Sequence, residues 1–362
     1  MSRFFASLRM TTKKINNINP ILSIIILNYN SGNYLSQCLE SIYKSILTFP
    51  IEVIIVDNAS TDNSFKQLKK NTSSSCHCES SDQIGGRGNP VGIVKNIIKT
   101  PTGSLRRFAS RDDNITLKFL QLKKNFGFSK GNNIGLKKTN SKSKYVLFLN
   151  PDTKVKANTI QKIINFLKKN PQVDTTTCKI ILAKTNQLQP ECHRGFPTPW
   201  RSFCHFSGLS KLFPKSKIFS GYFLGHLNKN KTHPIEACVG AFLIVRRETG
   251  NKINWWNEKY FFYGEDLDFC YKLKKHNFSL YYYPHCQIVH YQGISSGIKS
   301  QSKTLTKASR QTRLRSAKAS TQAMRLFYKQ NYFDNYNAIT RFMVNSGIAI
   351  LKNIRIFKAK YL

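Results

Sequence analysis

The stretch ILSIIILNYNSGNYLSQCLESI, Ile21–Ile42, sets the fold class. Its first part, Ile21–Leu27, is short, β-branched and nearly all apolar. That is the pattern of a strand buried on both faces in a parallel sheet. The polar NYNSGNY follows as a turn, and Leu35, Leu39, Ile42 and Ile46 then recur at the spacing of one helix face. IEVIIVDNAS, from Ile51, repeats the buried strand and ends near Asp57. STDNS is a helix entry that FKQLKK continues. Strand, helix, strand, helix opens an α/β sheet with right-handed crossovers.

Outward from there the pattern stops and resumes. Residues 71–114 carry Ser, Gly and Pro without period and read as a disordered surface insertion. ITLKFLQLKKN restarts the alternation, and the Gly- and Asn-rich turn NFGFSKGNNIG follows. KYVLFLNPDTKV reads as a buried strand ending in Asp152, with a helix over Thr159–Lys168. Residues 172–235 show no assignable period. EACVGAFLIVRRE reads as a strand, and FSLYYYPHCQIVHYQGISSG as one or two strands ending near His290. The division expected is a tail over 1–20, an α/β domain over 21–297, a basic Ser/Thr-rich linker over 298–322 and an amphipathic helical extension over 323–362. In that extension Ile339, Phe342, Met343, Ile350, Ile354 and Phe357 alternate with Arg341, Lys352, Arg355 and Lys358. Such a helix either packs on the domain or lies on anionic lipid.

The chain has 362 residues, with 57 Lys and Arg against 18 Asp and Glu, a net charge of +39. Anionic partners follow from that charge: nucleic acid, lipid headgroups or a phosphorylated substrate. The basic residues are dispersed and no nucleic-acid-binding motif occurs, so no nucleic acid is expected. Nine cysteines are scattered without a CxxC pair or the spacing of a structural zinc site. With no disulfide framework and no apolar run near the ~20 residues that span a bilayer, a cytoplasmic protein is expected. Contact with the inner membrane would be peripheral, on its cytoplasmic face.

In open α/β sheets, ligands bind beyond the carboxyl ends of the strands. Asp57 and Asp152 stand there. Either alone is equally a helix cap; together, with the Gly-rich turn between them, they suggest a polar pocket. Pro151 stiffens the approach to Asp152, whose carboxylate suits Mg²⁺ shared with substrate phosphates. His290, at a second strand end, adds an imidazole suited to Mn²⁺. FFYGEDLDFCYKLKK, from Phe261, gathers Glu265, Asp266 and Asp268 at a helix start, with Asp268 four before Lys272 as an i,i+4 pair.

Seven motifs now stand in order: LSIIILNYNSGNYLSQCLESI, VIIVDNASTDNS, NFGFSKGNNIGL, YVLFLNPDTKV, ACVGAFLIVRRE, YFFYGEDLDFCYKLKK and IVHYQGIS. In that order they resemble the family 2 glycosyltransferases, most closely the rhamnosyltransferase-like members that build bacterial surface polysaccharides. The resemblance covers residues 21–297 apart from the insertion. It implies a GT-A fold, a mixed α/β sheet with a nucleotide-sugar half and an acceptor half. It implies that Asp57 contacts the donor nucleotide, with Asn28 and Tyr29 lining the same pocket and Asn125, Gly127 and Gly131 near the nucleoside and phosphates. Asn150 to Asp152 match the DxD-type metal motif with Asn in the first place, so Asp152 and His290 would hold Mn²⁺ or Mg²⁺. Asp266 matches the catalytic base, and Glu265 would orient the acceptor. The implied reaction is inverting transfer from a nucleoside-diphosphate sugar, with rhamnose the first expectation, to a hydroxyl of a glycan or lipid-linked acceptor. The competing expectations are a basic nucleic-acid-binding protein, a glycosyltransferase inactivated by the insertion, and a nucleotidyltransferase. The last would carry a Gly-rich phosphate loop after the first strand, which NYNSGNY is not.

Overall fold

The computed structural model describes residues 19–73, 91–94, 115–292 and 310–361. The opening alternation is present as β1 (Leu22–Asn28), α1 (Tyr34–Tyr43), β2 (Ile51–Asp57) and α2 (Ser64–Ser73). All of β2 and all of β1 except Leu27 is buried, which is why neither strand alternates polar with apolar. Within the expected insertion, β3 (Val91–Val94) pairs antiparallel with β4 (Ile115–Gln121). Residues 74–90 and 95–114 lie outside the described residues, and with them most of that expectation.

The domain continues through α3 (Gly127–Leu136), β5 (Tyr145–Leu149), β6 (Thr153–Val155), α4 (Thr159–Lys169) and β7 (Thr175–Leu182). It then runs through α5 (Pro199–Phe206), α6 (Leu209–Leu212), β8 (His233–Pro234), β9 (Phe242–Arg246), α7 (Arg247–Lys252), α8 (Glu265–Lys275) and β10 (Leu280–His290). One sheet takes the order β3-β4-β2-β1-β5-β9-β7-β10-β6, with β8 on β10. The strands β4, β2, β1 and β5 are parallel; β9 runs antiparallel to both β5 and β7 and joins the second half. This is the mixed α/β sheet expected. Gly131 and Gly135 let α3 lie close on it, because a Cβ on either would meet Leu27, or Val56 and Ile25.

Three expectations change. KYVLFLNPDTKV is not one strand: β5 ends at Leu149 and β6 restarts at Thr153, because Pro151 has no N–H for a ladder. Asp268 is buried, and Lys272 instead donates to the carbonyls of Ile253 (3.0 Å) and Trp255, so no exposed i,i+4 pair forms. The linker gives way at Arg310 to α9 (Arg310–Asn331), followed by α10 (Ala338–Tyr361). Ser316, Ala317, Ser320 and Thr321 are buried on α9. Small polar residues read as linker composition, yet the same smallness lets a helix approach its neighbours closely. Tyr260 Oη donates to Gln330 (3.1 Å) and Tyr271 Oη to the Asn331 carbonyl (3.2 Å), tying α9 to the domain. α10 packs on α9 through Arg355 and Ser320 (2.8 Å), yet leaves Ile339, Phe342, Met343 and Phe357 exposed. No helix among the described residues is long and apolar enough to cross a membrane.

Ala317 is fully buried. Ala317→Leu should therefore overpack the α9 contact and cost about 1–3 kcal/mol in urea unfolding. A linker would accept the larger side chain with no change in midpoint.

Candidate active site

The ends of β1 and β2 are bound to each other. Asn28 Nδ2 donates to Asp57 Oδ1 (2.9 Å), Ser60 Oγ (3.0 Å) and Ser64 Oγ (3.1 Å), and Ser31 Oγ donates back to Asn28 Oδ1. The Ser60 N–H donates to Asp57 Oδ2 (3.3 Å). Asp57 is only 1% exposed, and its carboxylate anchors the chain's own loop. Tyr29, beside it, is half-buried. Asn58, which the sequence reading passed over, fastens the next turn: its Nδ2 donates to Asn125 Oδ1 (2.9 Å) and its Oδ1 accepts from the Phe126 N–H (2.9 Å). Gly127 has φ +80°, and a Cβ there would collide with the Phe261 carbonyl. That carbonyl accepts from the Phe128 N–H at 2.7 Å. Gly131, within α3, leaves room for the Leu27 side chain of β1.

The break after β5 brings the next pair together. Asn150 holds the turn, donating its N–H to Ala241 O (3.0 Å) and accepting Thr153 Oγ1 on its carbonyl (2.7 Å). In the antiparallel β6–β10 register Thr153 pairs with His290, so Asp152 comes up against the imidazole. His290 Nε2 lies 3.2 Å from Asp152 Oδ1, and Nδ1 meets Gln189 Oε1 at 2.7 Å. With Nδ1–H donating to Gln189, Nε2 faces the carboxylate, donating to it when the imidazole is protonated and offering a lone pair when it is neutral. In the neutral form two electron-rich atoms face each other, an arrangement that a cation between them completes. A carboxylate oxygen and an imidazole held by an amide fit Mn²⁺ or Mg²⁺ that takes its other ligands from phosphate and water. Among the described residues no cluster of three or more His, Cys, Asp or Glu is placed to hold a metal. Substrate oxygens would have to complete the shell.

The third group lies at the start of α8, after Gly264, whose φ of +80° turns the chain into the helix. Asp266 Oδ1 accepts from the Leu267 N–H (2.8 Å), and Arg194 Nη2 lies 3.3 Å from Asp266 Oδ2. Arg194 is itself buried, held by a two-way backbone bridge to Ala237, and its Nε has no hydrogen-bond partner. Burial, and then the Asp266 charge beside it, push the Glu265 carboxyl up to about 8. Glu265 thus keeps its proton at neutral pH beside an acid paired with arginine. Arg194 was invisible in the sequence because it lies in the stretch without period; its only signal was a lone arginine in ECHRGFPTP. Of the aromatics near this helix, Trp255 and Trp256 are core residues, while Phe261 is exposed.

A family model described as Glycosyl transferase family 2 matches residues 23–80 and 104–248, more than half of the chain. The chain belongs to glycosyl transferase family 2. The match passes over 81–103, within the stretch read as an insertion. This family 2 glycosyltransferase is 27% identical over 173 residues to rhamnosyltransferase WbbL of Escherichia coli (strain K12), covering 46% of this chain and 61% of that protein. It is 21% identical over 284 residues to the N-acetylglucosaminyl-diphospho-decaprenol L-rhamnosyltransferase of Mycobacterium tuberculosis (strain CDC 1551 / Oshkosh), covering 77% and 79%. The chain thus spans less than two thirds of the E. coli relative's length. Among solved structures, the mannosyltransferase PcManGT from Pyrobaculum calidifontis, in complex with GDP-Man and Mn²⁺, superposes with a TM-score of 0.48 at 13% identity, over 99% of this chain and 79% of that one.

The protonated Glu265 has a consequence for stability. The native state holds this proton up to about pH 8, whereas the unfolded chain releases it near the usual carboxylate range. Between the two the native state binds more protons, so this group's contribution falls as pH rises. Glu265→Gln should remove that fall: in thermal melts, the variant's Tm relative to the parent should climb from about pH 5 to about pH 8. A difference flat across the window would mean that Glu265 is ionised throughout.

Proposed function

We propose that this family 2 glycosyltransferase performs a single displacement, with inversion, at the anomeric carbon of a nucleoside-diphosphate sugar. The acceptor is a hydroxyl of a growing cell-surface polysaccharide or lipid-linked glycan. The observation that carries the reading is Asp266, at a helix start whose preceding loop is joined to the Asn125–Gly127 turn by the Phe128–Phe261 hydrogen bond. A carboxylate paired with a buried guanidinium is fixed in direction, and its remaining lone pairs can accept the proton of an acceptor hydroxyl. The hydroxyl oxygen then bonds to the anomeric carbon as the bond to the diphosphate oxygen breaks. Glu265, carrying its own proton, would donate a hydrogen bond and orient the acceptor.

At the donor end, Asn28, Tyr29, Asp57, Asn125, Gly127 and Asn150 belong to the strand ends and turns where the nucleotide would lie. Lewis-acid stabilisation of the departing diphosphate is the chemistry that Mn²⁺ or Mg²⁺ held by Asp152 and His290 would supply. The names of the E. coli and M. tuberculosis relatives support rhamnose as the sugar, and the nucleotide-sugar complex of PcManGT is consistent with a donor of that class. The exposed apolar residues of α10 among its lysines and arginines favour a peripheral site on the cytoplasmic face of the inner membrane.

Asp266→Asn should lower transfer by roughly 10²–10⁴-fold while nucleotide-sugar binding, read by thermal shift, persists. Turnover near the parent's rate would remove Asp266 from the role of base. Exhaustive EDTA treatment should stop transfer, and either Mn²⁺ or Mg²⁺ should restore it. Full activity in EDTA would rule out the metal role of Asp152 and His290.

A further inference from the structure

The segment from α5 through α6 to Phe219 turns its large apolar side chains outward. Trp200, Phe203, Phe206, Leu212, Phe213 and Ile218 are all exposed. Several of them form one surface: Trp200 meets Phe203 at 5.8 Å between ring centroids and Phe219 at 6.2 Å, and Phe219 meets Phe213 at 5.0 Å. Single exposed apolar residues need no explanation, but a contiguous aromatic patch marks an interaction surface.

Charge indicates what covers it. Between Glu191 and Glu236 the chain has no carboxylate. Arg201 is taken up by Glu236 in a two-pronged pair (2.5 and 2.8 Å), but Lys211, Lys215 and Lys217 stand exposed among the apolar side chains. Aromatics ringed by lysines with no acid among them match an anionic bilayer surface, where rings reach the acyl boundary and ammonium groups meet headgroup phosphates. Beside the patch a cavity of 310 Å³ opens, lined by His205, Lys211, Tyr222 and Lys229 among others.

α10 has the same character, and Asp334 is the only acid in residues 310–362. The two surfaces approach each other through Tyr222. Its ring stacks on His205 of α5 at 4.4 Å, and Arg355 of α10 lies within electrostatic reach of it. The charges of Arg194 and Asp266 also act on the buried Tyr222 hydroxyl.

We propose that residues 199–219 form a membrane-docking patch that inserts Trp200, Phe203 and Phe213 into the headgroup region of an anionic bilayer, with α10 as a second contact. The inference does not depend on the transfer chemistry above. Trp200 is 50% exposed, whereas Trp255 (7%) and Trp256 (2%), the chain's other tryptophans, are buried. Tryptophan emission therefore reports on the patch.

The full chain should be titrated with vesicles of phosphatidylcholine alone and of phosphatidylcholine with phosphatidylglycerol, following emission and co-sedimentation. The anionic vesicles should blue-shift the emission and pellet the protein, and pure phosphatidylcholine should do neither. The triple variant W200S/F203S/F213S should partition at least roughly ten-fold more weakly while its circular dichroism and Tm match the parent's. In F342S/M343S the Trp200 shift should persist. Failure to pellet with anionic vesicles would overturn the proposal, as would pelleting with unmoved emission, which would leave α10 as the only contact. An emission shift produced by duplex DNA and not by vesicles would overturn it in favour of nucleic acid. Docking without sugar transfer would sink the proposed function and leave the patch standing; transfer to a soluble acceptor without docking would do the reverse.

Discussion

The Phe128 N–H reaches the Phe261 carbonyl at 2.7 Å across a gap that is open only because Gly127 has no side chain. On one side of that bond lies the turn fastened by Asn58 to the end of β2. On the other lies the loop that passes through Gly264 into α8, with Glu265 and Asp266 in its first turn. Gly264 is similarly crowded: a Cβ there would sit 3.1 Å from Ala323 of α9 and 3.2 Å from Tyr260. Backbone against backbone, without side chains to slip, therefore sets where the two acids stand relative to the strand ends. α9 takes part in that placement, because its Ala323 closes over the same glycine.

Several of the scarce carboxylates hold the chain's own backbone and side chains in place. Glu52, buried in β2, accepts from Ser23 Oγ (2.6 Å), Lys118 Nζ (2.8 Å) and the Asn140 N–H (2.5 Å). Asp174 accepts from the Ser279 N–H (2.8 Å), and Glu236 takes both prongs of Arg201. With few acids to offset the lysines and arginines, the surface that results suits phosphate, whether on a donor or in a headgroup. Glu265 shows the cost of the same economy: a carboxyl placed in a dry position next to another acid keeps its proton.

Much of the sheet was legible, because β1, β2 and β5 are mainly apolar runs without polar alternation, the pattern of a strand covered on both faces. α1 and α4 were legible from their apolar spacing. What misled did so for definable reasons. Ser and Thr near 316–321 have linker composition but helix-packing size, and composition cannot distinguish the two. Asp268 and Lys272 have the spacing of a surface pair, but the helix face they share is turned inward. The packing role of Gly131, whose missing side chain leaves room for Leu27, is likewise not recorded in its motif.

Within the candidate site, the sequence by itself determined that Asn28, Asp57 and His290 close strands, since each ends a mainly apolar run of readable length, and that Asp152 follows such a run across an Asn-Pro turn. Tertiary structure alone decided which of them meet. Asp152 reaches His290 because β10 returns antiparallel to β6 with Thr153 opposite His290. Arg194 reaches Asp266 across 72 positions because its backbone bridges to Ala237. Local periodicity records how a segment buries its own side chains. Pairing between distant segments is set by sheet register and backbone contact, and these leave no periodic trace in the chain.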